Sequence, residues 1–75
     1  MKRVFEATVA AEGVELTEDR LWLWINGGTE ITVEDNGDET YTDHVAWFTD
    51  RDGADHEREH TFTADQIILG RELHA

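Results

Sequence analysis

The sequence predicts a mainly β fold: a small antiparallel sheet or partly open barrel of five to six strands, held in one domain over residues 1–75. Three observations predict it. Apolar and polar residues alternate with period two in one segment after another, which is the mark of half-buried strands rather than helices. Glycine-containing turn dipeptides, Asn26-Gly27, Asn36-Gly37 and Asp52-Gly53, separate those segments. Finally, 75 residues with 29 hydrophobic side chains, 7 of them Ala, supply one thin core of 22 larger groups. A core that thin is expected to gain support from self-association or from a partner.

The elements follow in order. Phe5, Ala7, Val9 and Ala11 alternate with Glu6, Thr8 and Ala10 and read as the first strand. After Glu12-Gly13 the apolar positions shift to Val14 and Leu16, a change of face that a bulge or turn at Gly13 absorbs. Thr17-Glu18-Asp19 reads as a polar turn, and Arg20 opens the most apolar stretch, Leu21-Trp22-Leu23-Trp24-Ile25. Asn26-Gly27-Gly28 then reads as a three-residue hairpin loop returning into Thr29–Glu34, which pairs Leu23 with Ile31 and Leu21 with Val33. In that register Trp22 and Trp24 point to the opposite face, above Glu30 and Thr32.

Tyr41 to Thr49 follows the Asp35–Asp38 turn as a strand covered on both sides, with Tyr41, Val45 and Trp47 on one face and His44, Ala46 and Phe48 on the other. His56 to Thr63 lies beyond a charged loop and reads as an edge strand guarded by its charges. In the last segment Thr63 and Gln66 fit a capping box. One helical turn over Ala64–Gln66 followed by a strand Ile67–Leu73 is the favoured reading, because Ile67, Leu69, Arg71 and Leu73 alternate. The alternative is a C-terminal helix over residues 64–74.

Charge sets the character of the surface. There are 18 Asp and Glu against 6 Lys and Arg, a formal charge of −12; five of the six cations are Arg and nine residues are Thr. This composition resembles the proteins of extreme halophiles, whose carboxylates hold a hydrated ionic shell while molar salt shortens the Debye length to about 3 Å at 1 M. High net charge also disfavours collapse, but three Trp, three Phe and strict alternation argue for a folded chain. No apolar run approaches the roughly 20 residues needed to span a bilayer. Glu6 and Glu12 interrupt the would-be leader after Met1-Lys2-Arg3, so a cytoplasmic location is expected.

Several chemistries are narrowed at once. Without Cys there is no disulfide, thiolate zinc site or Cys nucleophile, and without Ser acyl transfer would fall to Thr or Tyr. His56-Glu57-Arg58-Glu59-His60 satisfies the string H-E-x-x-H, which in zinc metalloproteases places two His on one helical face with Glu as base. From Thr49 to Thr61 the only hydrophobic residue is Ala54, so a helix here has nothing to bury. As a strand the segment sets the two His about 13 Å apart, at roughly 3.3 Å per residue. The loops Asp50–Asp55 and Asp35–Asp38 lack the ligand pattern of an EF-hand. No cofactor and no metal site is expected. The best functional candidates are aromatic: Trp22, Trp24, Tyr41 and Trp47, as core or as a patch for a protein partner or a second copy of the chain. The expected function is a non-enzymatic binding or assembly module using an aromatic face or an open sheet edge. The alternatives are a nucleic-acid-associated protein or DNA mimic and, last, a zinc-dependent hydrolase at His56, Glu57 and His60.

Overall fold

Alternation along the chain resolves into seven strands in a computed structural model that describes residues 1–73. These are β1 (Val4–Val9), β2 (Val14–Glu18), β3 (Leu21–Ile25), β4 (Glu30–Asp35), β5 (Thr40–Thr49), β6 (Asp55–Thr63) and β7 (Ile67–Leu73), with one 3-10 turn at Ala64–Gln66. All pairings are antiparallel, and the sheet runs β2-β3-β5-β4-β1-β7 with β6 on the other edge of β5. The sheet curls into a half-barrel 37 × 22 × 20 Å in extent. Among the described residues no helix is long and apolar enough to cross a membrane.

One side chain in two from most strands turns inward. Ala7 and Val9, Val14, Leu23 and Ile25, Val33, Ala46 and Phe48, Phe62 and Ile67 form the buried cluster, and Phe5, Leu16, Leu21, Ile31 and Tyr41 pack against it. The cations then clip strands together. Arg3 reaches Glu72 at 2.8 Å and Arg71 reaches Glu6 at 2.8 Å, both joining β7 to the β1 side. Arg58 on β6 meets Glu18 at the end of β2 at 2.7 Å, spanning two strands that share no ladder.

The mainly β class, the turn at 64–66 and the strand Ile67–Leu73 agree with the sequence reading; Gln66 Oε1 accepts the Thr63 N–H at 3.0 Å, one half of the capping box. The alternative helix does not form over residues 64–73, and His74 lies outside the described residues. β6 pairs with β5 alone and is an edge, as its charges indicated.

Three expectations are corrected. β3 and β4 do not form a hairpin: β3 pairs with β2 and β5, β4 with β1 and β5, and Leu23 faces Leu16 rather than Ile31. The Asn26–Gly28 segment is a crossover pinned to the end of β1, where Gly28 donates to Val9 O at 2.8 Å and Val9 to Thr29 O at 2.9 Å. Gly27 permits it, since a Cβ there would lie 2.3 Å from Ala11 O. The turn before β3 is the two-residue Asp19-Arg20, not Thr17–Asp19, with φ of 53° and 66° and Glu18 facing Leu21; left-handed residues at both positions match the right-handed strand twist. Finally, β5 is not covered on both sides, for a reason that also creates the candidate site.

Candidate functional site

Along β5 the pairing with β6 slips by one residue: Asp43 faces His60 but Ala46 faces Arg58, so His44 and Val45 together oppose Glu59. A bulge of this kind exchanges the two faces of a strand. Before it Tyr41 packs on the core and Asp43 is buried; after it Ala46 and Phe48 are the buried residues. Val45 and Trp47 are thereby turned outward, 56% and 57% exposed, and they are the large apolar residues of β5 that solvent reaches. The bulge is held by Asp43, whose Oδ1 accepts the Val45 N–H at 2.9 Å.

The other edge of β5 is shared between two strands. β4 pairs with it at Glu34–Thr42 and Asp35–Tyr41, and β3 only at Trp24–Thr49. Between these points β4 and β5 splay apart. The split opens a groove of about 550 Å³, within the 300–1,000 Å³ range of ligand pockets. Glu30, Ile31 and Thr32 of β4 line one side, Asp43, Val45 and Trp47 of β5 the other, and Glu6, Ala7, Thr8 and Gly70 complete it.

Two histidines flank the bulge in opposite electrostatic settings. His44, exposed, holds Glu34 on β4 through Nε2 and Glu59 on β6 through Nδ1, the latter at 2.7 Å. Only an imidazolium donates from both ring nitrogens. The hydrogen bond to Glu34, then that to Glu59, raises the His44 pKa, and the same bond lowers that of Glu34. His60 stands edge-on between Phe48 and Phe62, ring centroids 5.4 and 4.6 Å away, and its burial lowers its pKa. Burial also pushes the Asp43 carboxyl above the usual carboxylate range, with the Val45 hydrogen bond and nearby His44 opposing it.

The sequence-derived candidates fall into separate places. Trp22 and Trp24 stack, centroids 6.1 Å apart, and both are half-buried. Arg51 lies over Trp22 at 5.8 Å, Trp24 Nε1 donates to Asn26, and the Trp24 ring packs so closely on Gly13 that a Cβ there would lie 2.5 Å away. Tyr41 belongs to the core margin, and only Trp47 borders the groove. Asp43, Val45 and Ile31 were not picked out from the sequence. The signal for Asp43 and Val45 was the polar run Thr42-Asp43-His44 between Tyr41 and the continuous apolar run Val45–Phe48.

The H-E-x-x-H string lies on β6, where His56 binds Asp50 at 2.7 Å and His60 enters the aromatic cluster. A helical zinc face does not arise, and no group of three or more potential metal ligands occurs among the described residues. Asp50 instead organises its loop: the His56 bond, followed by the Ala54 and Asp52 N–H groups on Oδ1, holds its pKa below the usual range. Comparison with models of known protein families, with curated proteins and with solved structures found no match.

Proposed function

We infer that this chain is a non-enzymatic recognition module that binds another protein chain through the outer face of β5 and the adjoining groove. The observation that carries the reading is the outward Val45-Trp47 pair, two large apolar side chains more than half exposed beside a groove on an otherwise strongly acidic chain. An exposed Trp beside a concave surface is the pattern of interface hot spots. The Trp22/Trp24 pair is the weaker candidate, because Arg51, Asn26 and Gly13 already engage it. Nucleic acid is disfavoured as the ligand, since Glu6, Glu30 and Asp43 give the groove an anionic lining.

The chain acts in this reading as a salt-adapted protein whose carboxylate coat keeps it dispersed while the β5 face does the binding. Selection of a random peptide library on the immobilised protein in molar KCl tests it. Binders are expected whose retention is lost in Trp47→Ala and kept in Trp22→Ala. Binders lost only in Trp22→Ala would move the recognition surface to the other aromatic face, and the absence of any Trp47-dependent binder would overturn the reading.

A further inference from the structure

Asp43 has more to offer than its structural role uses. Its Oδ1 holds the bulge through Val45, while Oδ2 makes no hydrogen bond among the described residues. No side-chain polar atom among the described residues is both fully buried and unpartnered, so Oδ2 is not sealed in the core. The residue is only 5% exposed and is one of those that line the groove. Its burial disfavours the charged form, and the nearby His44 and His60 offset this only in part, so a further cation would be favourable there. Asp43 also differs from the surface acids in one respect that matters for a chain of charge −12: strong salt mutes exposed charges but screens a buried pair much less. Glu30 also lines the groove and has no ion pair among the described residues, adding to the negative potential.

The backbone around Asp43 completes the picture. From Asp43 to Phe48 the edge of β5 that faces β4 has no ladder partner among the described residues, and although Asp43 holds the Val45 N–H, an unpaired edge is a template for an added extended chain. Beside that edge stand Val45 and Trp47. We propose that the groove receives an arginine from an extended segment of a partner protein, its guanidinium on the Asp43 carboxylate, its neighbouring residues against Trp47 and its backbone along the open edge of β5. Arginine fits better than lysine because its planar, weakly hydrated head is less costly to desolvate and offers a buried carboxylate several donors at once. This assignment rests on the recognition reading and names the partner's chemistry.

Calorimetric titration of the intact chain in KCl that keeps it folded tests the assignment. The probes are blocked pentapeptides with central Arg and Thr, Val or Tyr flanks, their Gln counterparts, and L-argininamide. Arg peptides are expected to bind at least about tenfold more tightly than the Gln series and than L-argininamide, as a charged hydrogen bond to a buried group requires. Asp43→Asn keeps an oxygen for Val45 and is expected to remove about tenfold of the Arg-peptide affinity while leaving the Gln series unchanged. Should that variant not fold, Trp47→Ala, at an exposed position, is expected to give a comparable loss. Equal binding of the Arg and Gln series with dependence on Trp47 would overturn the arginine site and leave the recognition face standing. Binding of L-argininamide as tight as the peptides would overturn the polypeptide partner, and no binding of any Arg peptide would overturn the proposal outright.

Discussion

His44, in the bulge of β5, and His60, opposite Asp43 on β6, have surroundings that push their protonation in opposite directions. His44 gains two carboxylate partners, so its folded pKa lies above the ordinary value of about 6.5. Its stabilisation is fully present below that ordinary value and is lost as pH rises through the raised one. Glu34, with a depressed pKa, contributes above its ordinary value and loses its contribution as pH falls through the lowered one. The His44–Glu34 pair is therefore intact in mildly acidic solution and dissolves on the alkaline side. For His60 the sign is reversed: burial favours the neutral ring, and stability falls as pH drops through its lowered pKa. Urea denaturation is expected to show His44→Gln losing more stability at pH 6 than at pH 9, and equal losses would exclude the pair. Proton NMR is expected to place the His44 midpoint above, and the His60 midpoint below, that of a histidine in an unstructured peptide.

At the scale of elements, the local signals were legible and the long-range partners were not. The strands announced themselves by alternation, and Thr63 with Gln66 announced the turn before β7. Asn26-Gly27-Gly28 misled because a hairpin signature describes only the turn. Whether the chain returns beside β3 or crosses to β1 depends on Gly27 fitting against Ala11 O and on Val9 offering its N–H and C=O, sixteen or more residues upstream. The separation of Leu21 and Leu23 from the face of Trp22 and Trp24 nevertheless holds, since period two fixes the face regardless of the partner. The bulge at His44-Val45 escaped for a related reason: one extra residue leaves little trace in a strand already apolar on both sides. It decided the site, because without it Val45 and Trp47 share the face of Tyr41. The real hairpin, β2–β3, carries strain, since Asp19 and Arg20 are both left-handed without glycine. Arg20→Gly is expected to stabilise the protein by about 0.5–1 kcal/mol in urea denaturation, after the entropy cost of glycine. A loss of stability would show that Arg20 holds a contact that offsets its strain.

For the whole molecule the balance is between a small core and a large charge. Folded chains carry roughly 0.05–0.15 kcal/mol of stability per residue, so 75 residues hold about 4–11 kcal/mol. Truncating Phe48 or Phe62, both fully buried, costs about 3–5 kcal/mol and consumes much of it. Self-repulsion at a charge of −12 draws on the same margin, and only a few cationic clips between strands oppose it. Thermal unfolding is therefore expected to rise from dilute buffer to 3 M KCl, and a melting temperature indifferent to salt would contradict the halophile reading. The same charge explains why function was hard to read from composition. Apart from the buried Asp43, carboxylates occupy turns, edges and outward strand positions, so the informative place is where the coat gives way, at Val45, Trp47 and the groove beside them. Amide chemical-shift mapping of the 15N-labelled protein during titration with a peptide selected from a random library tests that claim most directly. Shifts concentrated at Glu30–Thr32 and Asp43–Trp47 are predicted; shifts confined to Trp22–Trp24, or spread over the acidic loops, would contradict it.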